Sequence, residues 1–253
     1  MQQPSARVAP LPAPVSAAIV ACLLICAAGA WLFTVSQSAA MGMGGVAMMS
    51  AGLFLVTWLV MMVAMMFPSV APMVLAYAGV TRSRGQGMVP SIAFVLGYIV
   101  VWIAAGLVPL TVLQAFNHMW IPAPSWLPRV GGAVIVLAGV YQFTPLKYTC
   151  LSHCRSPLGF ILTHDFGSGP AGAVRAGASH GLYCLGCCWA LMAVLAVVGL
   201  MNIAWMAVIA AIFFVEKNVR GGELLPRVVG AFCIIGGLTV IAWPLLLAGP
   251  RPI

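Results

Sequence analysis

The chain has 253 residues, of which 63% are hydrophobic and only 6% are charged, and its formal net charge is +8. A soluble globular domain carries roughly 25% charged residues, so a chain this apolar is expected in a lipid bilayer rather than in water. The basic residues are spread over loops without an aromatic patch, which argues against a nucleic-acid partner. Basic loops of this kind are typical of membrane proteins whose loops lie at an anionic membrane surface.

Apolar stretches recur along the whole chain and predict an all-α, polytopic membrane helix bundle of about seven transmembrane helices. A crossing needs about 20 predominantly apolar residues. The predicted spans are residues 15–35, 46–78, 90–115, 129–145, 173–200, 202–216 and 226–248. They form one transmembrane domain, 15–248, between a proline-rich tail at 1–14 that we expect to be disordered and a second tail at 249–253.

The first span could be a signal peptide, because Ser-Gln-Ser-Ala-Ala at 36–40 resembles a cleavage site; six spans would then remain. Its length favours a retained helix. With the N-terminus in the cytoplasm, nine Lys and Arg fall on the cytoplasmic side and two, Arg129 and Arg251, fall outside. This bias predicts a cytoplasmic N-terminus.

The second span is rich in methionine and is interrupted by Pro68 and Pro72, which should bend it. Methionine often fills irregular gaps beside a kinked helix, and that interpretation stays open. The alternative is thioether ligation of a soft metal ion. The candidate ligands on or beside one helical face are Met62, Met65, Met66 and Met73.

The fifth span carries a second candidate set. His180, Cys184, Cys187 and Cys188 are separated by steps of three and four residues, which place them on one face of a helix. Imidazole and thiolate are ligands that soft metal ions prefer. Buried cysteines that serve only in packing are the alternative.

A third set, Cys150, His153 and Cys154, has the same spacing within 146–156, a segment that we predict to be a short interfacial or re-entrant helix at the cytoplasmic face. Counting along the helices places the cysteines of the fifth span and the methionines of the second at a similar depth, about 10–20 Å from that face. The three sets are therefore expected to converge in depth. Near them, Glu216 and Lys217 are expected to form a local ion pair at the membrane interface.

Several runs resemble an uncharacterised bacterial family, described as predicted metal-binding integral membrane proteins, over roughly residues 50–240. The runs are Trp58 with Met61-Met62-x-Ala64-Met65-Met66-x-Pro68; Tyr141-Gln-x-x-Pro145-Leu-Lys147-x-x-Cys150-Leu-x-His153-Cys154-Arg155-x-Pro157; His180-Gly-x-Tyr183-Cys184-x-Gly186-Cys187-Cys188-Trp189; Gly199-x-Met201-Asn202; and Glu216-Lys217. The resemblance implies metal binding by the cysteines and histidines of the second and third sets. It also implies a multi-pass protein of the bacterial inner membrane.

Thiolate and thioether ligands together favour Cu(I). Zinc is less favoured, because proteins bind it through Cys, His and carboxylates and not through methionine thioethers. We therefore predict a soft-metal protein for transport or delivery, with a soluble metallochaperone or a membrane cuproenzyme as candidate partners. A membrane thiol oxidoreductase that uses Cys184-x-x-Cys187 is one alternative. A structural or assembly subunit is the other.

Overall fold

The computed structural model describes residues 11–41, 49–118, 126–163, 167, 169–200, 202–219, 221–222 and 224–243. Across these ranges the structure is all helical, as predicted. The helices are α1 (Ala13–Met41), α2 (Ala51–Ser83), α3 (Val89–His118), α4 (Leu127–Tyr141), α5 (Pro145–Arg155), α6 (Pro157–Thr163), α7 (Gly169–Val198), α8 (Ile203–Asn218) and α9 (Leu225–Ala242). Of the predicted tails, 1–14 and 249–253, residues 1–10 and 249–253 lie outside the described residues, and α1 begins at Ala13, before the end of the first predicted tail.

The prediction of seven transmembrane helices is wrong in its count. Five described helices, α1, α2, α3, α7 and α9, are long and apolar enough to cross a membrane. A sixth crossing is obtained if α4 and α5, which meet at an angle of 64°, are taken as one bent span. Helix α8, predicted as a span at 202–216, has 16 residues and a length of about 24 Å, short of the ~30 Å hydrocarbon core.

Helix α2 continues through both of its prolines because a neighbouring helix supplies one of the missing hydrogen bonds. Pro68 has no N–H to donate to the carbonyl of Ala64, four residues earlier. The indole Nε1–H of Trp31 on α1 donates to that carbonyl at 3.1 Å. On the other side of α2, the indole of Trp58 donates to the carbonyl of Trp102 on α3 at 2.9 Å.

Glycines allow α3 and α7 to pack at backbone distance. A Cβ on Gly177 would collide with the carbonyl group of Phe94, and one on Gly97 would collide with that of Val174. Small residues at helix contacts are a common device of membrane proteins, in which backbones approach closely. The close approach brings Tyr98 of α3 to the cysteines of α7.

Helices α4, α5 and α6 follow one another along α7, from the end of α7 towards its first half. Ile135 of α4 packs with Val194 near the end of α7, whereas Phe160 of α6 contacts His180 in the first half of α7. Helix α8 then returns beside α7, since its last turn places Lys217 against Cys184. The result is that α5, α6 and the end of α8 lie around the cysteine-bearing middle of α7.

The outer faces of the bundle are apolar. Phe232, Ile235 and Leu238 of α9 are examples of large hydrophobic side chains that are more than half exposed. Contiguous exposed apolar surface is unusual on soluble monomers and marks contact with lipid or protein. The long apolar helices and these faces are together compatible with a membrane protein.

Candidate metal centre

Helix α5 lies against the middle of α7, so two of the predicted cysteine sets are neighbours. Cys150 and Cys154 are buried, and the Sγ of Cys154 lies 3.9 Å from the Sγ of Cys187. Gly186 provides the space for Cys150, because a Cβ there would lie 2.6 Å from its sulfur. The position of residues 146–156 at the cytoplasmic face stays a prediction, but these two side chains are buried within the bundle. The bend between α4 and α5 turns them into the bundle.

Cys184 has the most polar surroundings of the α7 cysteines. Its Sγ lies 3.1 Å from the hydroxyl of Tyr98 and 3.1 Å from the Nζ of Lys217, and the residue is only 1% exposed. The thiols of Cys187 and Cys188 donate instead to the carbonyl of Cys184, at 3.1 and 2.7 Å. Cys184 is thus the sulfur that faces a cation.

Lys217 is a buried ammonium surrounded mainly by sulfur and aromatic carbon. Besides Cys184, its Nζ lies 3.7 Å from the Sδ of Met66 and 5.5 Å from the centroid of the Phe213 ring. Buried charges require a counter-charge. Among the described residues the one acid is Glu216, which is paired elsewhere. In the described part of the chain, the group in contact with Lys217 that can supply this counter-charge is the Cys184 sulfur, whose thiolate is the form of cysteine that binds metals.

The expected Glu216–Lys217 pair does not form. The Oε2 of Glu216 accepts from the Nζ of Lys147 at 2.7 Å, and both side chains are almost completely buried. Lys147 also donates to the carbonyl of Cys187 at 2.7 Å. Consecutive residues on a helix do not face each other, so Glu216 and Lys217 point to different partners.

Lys147, Lys217, Glu216 and Tyr98 are site residues that the sequence interpretation missed. The available signal was the occurrence of ionisable residues next to predicted spans. Such residues usually face the interior of a bundle and mark function. The assumption of an interfacial pair set that rule aside, and the structure has the side chains of Lys147, Glu216 and Lys217 buried inside the bundle.

The two histidines have different environments. His180 is 2% exposed and lies among the rings of Phe94, Tyr98 and Phe160, at centroid distances of 5.5–6.0 Å. Its Nδ1 has no hydrogen-bond partner among the described residues. His153 is half-buried, contacts the carbonyl of Thr149 through Nδ1 at 2.8 Å, and stacks on Tyr183 at 4.1 Å. Both rings border the cysteine region from the α6 side.

All the predicted methionine ligands are buried in the same core cluster as the cysteines: Met62, Met65, Met66 and Met73. Of these, Met66 reaches the site through its contact with Lys217. In the described part of the chain, no three His, Cys, Asp or Glu side chains are arranged so that they could hold a metal ion. What the structure places together is one cysteine sulfur and one methionine sulfur at the ammonium of Lys217.

These sulfurs lie in a segment that matches a known family. Residues 55–240 match the PpoB2 family, which is described as copper chaperone. The chain belongs to this family of copper chaperones, and its membership supports a role in binding or delivering copper. No curated protein and no solved structure matches the chain. The sequence resemblance implied metal binding without naming the metal, and the description of the matched family identifies the metal as copper.

Proposed function

We propose that this protein is a membrane copper chaperone that carries Cu(I) on buried sulfurs. The proposed ligands are Cys184, Cys187, Cys154 and Met66. They come from helices α2, α5 and α7, and the Cys154 and Cys187 sulfurs are 3.9 Å apart. Soft thiolate and thioether ligands select Cu(I).

The observation that carries the proposal is the placement of Cys184 between Lys217 and Tyr98, with the Met66 sulfur beside the same lysine. The Cys184 and Met66 sulfurs already contact the buried ammonium of Lys217, and they are the kinds of atom that the soft cation Cu(I) prefers. The thioether favours copper over zinc, since zinc sites use Cys, His and carboxylate.

The other predicted ligands would act around this core. We propose that the remaining side chains offer weaker, exchangeable positions along which copper moves: Cys150, Cys188, His153, His180, Met62, Met65 and Met73. The unpartnered Nδ1 of His180 supports a role of this kind, because a buried polar nitrogen without a partner is uncommon. Delivery would be to a membrane cuproenzyme, and supply would come from a soluble metallochaperone.

The test is the copper content of the full chain, purified in detergent under reducing conditions with Cu(I) and Zn(II) offered together. We expect about one copper per chain in the wild type and a loss of copper in C184A/C187A. The matched control is C22A/C26A, because those two cysteines are exposed on α1 and lie outside the family match. Equal copper loss in both double variants would refute the assignment.

The short Cys154–Cys187 sulfur distance also favours a second candidate, a thiol oxidoreductase. That function predicts no copper, a disulfide in the isolated protein, and its reduction by quinol. Non-reducing mass spectrometry of protein purified in parallel without reductant separates the two functions. A disulfide in place of metal would move the assignment to the oxidoreductase.

A further inference from the structure

Lys217 occupies the position that a metal cation would take among the sulfurs. Its ammonium contacts the Cys184 thiolate at 3.1 Å and the Met66 thioether at 3.7 Å. Lys217 is 6% exposed and Met66 is fully buried, so water does not replace these contacts. A thioether is a weak hydrogen-bond acceptor and an unusual neighbour for an ammonium. The geometry thus joins one cation to the two ligand types that Cu(I) prefers.

The charges around Lys217 favour this arrangement. Lys147 and Glu216 neutralise each other at 2.7 Å and leave no carboxylate for Lys217 in the described part of the chain. The Tyr98 hydroxyl contacts the same thiolate, and the Phe213 ring faces the ammonium. Two unit cations cannot share one thiolate at these distances without strong repulsion, because the surroundings have a low dielectric constant.

We infer that Lys217 is an internal competitor of copper: its ammonium holds the Cys184 thiolate and the Met66 thioether in the metal-free protein, must leave them when Cu(I) binds, and returns when copper is passed on. This inference rests on the proposed function. It explains how a site of soft sulfurs can release its cargo, since the returning ammonium lowers the net affinity. Lys217 acts on the site as a positioning and affinity-setting residue, not as a ligand.

The position of Lys217 in the fold suits such a movement. It lies in the last turn of α8, which ends at Asn218, and lysine has a flexible four-carbon stem. Asn218 next to it anchors the helix end by donating to the carbonyl of Ser69 at 3.3 Å. The lysine side chain can therefore change rotamer while the end of α8 stays attached to α2.

The experiment is a Cu(I) competition titration of the detergent-purified full chain against bicinchoninate, with the rate of copper loss to excess chelator as a second readout. We compare the wild type with K217Q, K217R and C184A. K217Q should bind Cu(I) about tenfold more tightly and release it more slowly, because the competing cation is gone. K217R keeps a cation and is the matched control, expected to stay near the wild type.

An equal or weaker affinity of K217Q would overturn the inference, since Lys217 would then only stabilise the thiolate. If the wild type binds no Cu(I), or if C184A binds as well as the wild type, the proposed function itself fails. Amine labelling of the wild type, read by mass spectrometry, tests the displacement even if K217Q does not fold. Copper should increase the labelling of Lys217, and unchanged labelling would contradict displacement.

Discussion

Two buried lysines contact cysteines of α7, Lys147 at the carbonyl of Cys187 and Lys217 at the sulfur of Cys184, and their other partners differ. Lys147 is neutralised by a carboxylate at 2.7 Å, whereas the nearest anionic partner of Lys217 is a sulfur. A buried ion pair adds little net stability relative to a well-packed apolar pair, but removal of one partner leaves an unpaired charge. Under the proposed function, the Lys147–Glu216 pair has a structural role, and the Lys217–Cys184 pair is the one that exchanges with a metal.

The ion pair gives the first prediction at the residue scale. K147M should destabilise the protein by about 3–5 kcal/mol, because the Glu216 carboxylate would remain buried without its ammonium. The double variant K147M/E216L should regain most of that loss. Thermal unfolding of the two variants and the wild type in the same detergent measures both effects. A K147M protein as stable as the wild type would mean that water reaches Glu216.

The long-range partners at this scale could not be predicted from the sequence. Lys147 and Glu216 are 69 residues apart, and nothing in either local segment indicates the other. The cysteine and methionine sets were predictable because their spacing of three and four residues reports a shared helical face. Depth along the membrane normal could also be counted. Which helices are lateral neighbours could not, because that depends on packing between distant segments.

The fourth predicted span shows the same limit at the scale of elements. Thr144 and Pro145 mark a helix start in the sequence, and the structure has α5 beginning there, with Thr144 Oγ1 accepting from the N–H of Lys147 at 3.3 Å. The break itself was thus predictable. The 64° bend was not, since it depends on contacts such as that of the Tyr141 hydroxyl, which donates to the carbonyl of Gly186 at 2.6 Å.

The close packing of α3 against α7 gives a prediction at this scale. G177A should destabilise the protein by roughly 1–3 kcal/mol, because its Cβ would collide with the Phe94 carbonyl and push the two helices apart. It should also weaken Cu(I) binding, since Tyr98 contacts Cys184 across the same interface. Thermal unfolding and copper content of the purified variant are the measurements.

G236A is the control for that variant. Gly236 lies within α9, and no described atom outside its own helical turn lies within 4 Å of the position that a Cβ would take there. Alanine at this position should therefore leave stability unchanged or raise it by up to ~1 kcal/mol. Similar losses for the two variants would show that the effect of G177A comes from general intolerance of α-helix substitutions and not from the α3–α7 contact.

At the scale of the whole molecule, the burial of two lysines changes the charge count that sets the orientation. Lys147 and Lys217 are inside the bundle and do not act as loop charges. Without them the predicted cytoplasmic side keeps seven basic residues against two on the other side. The bias therefore still predicts a cytoplasmic N-terminus. The two lysines excluded from the count of basic loop residues, Lys147 and Lys217, are those of the candidate metal centre.

Helix directions lead to the last prediction. Helix α1 is antiparallel to α2, since Trp31 lies at Ala64 and Leu23 lies near Val74. Helix α3 is antiparallel to α2 and parallel to α7, as their side-chain and glycine contacts show. Helix α9 is antiparallel to α4, because Gly230 meets Gly139 and Gly237 meets Gly132. Since α4 runs opposite to α7, the helices α1, α3, α7 and α9 all point the same way.

The start of α1 and the end of α9 should therefore lie on opposite sides of the membrane, with the end of α9 outside the cytoplasm. Because α7 and α9 point the same way, this arrangement requires the chain to return across the bundle through α8, although α8 by itself is shorter than the hydrocarbon core. Alkaline phosphatase, which is active only after export, should be active when fused after residue 243 and inactive when fused in the α2–α3 loop near Arg84. The reverse pattern would place the copper site near the opposite face. Activity at neither position would mean that one of the expected membrane crossings is absent. The missing crossing would then most simply be α8, the short helix that connects α7 and α9.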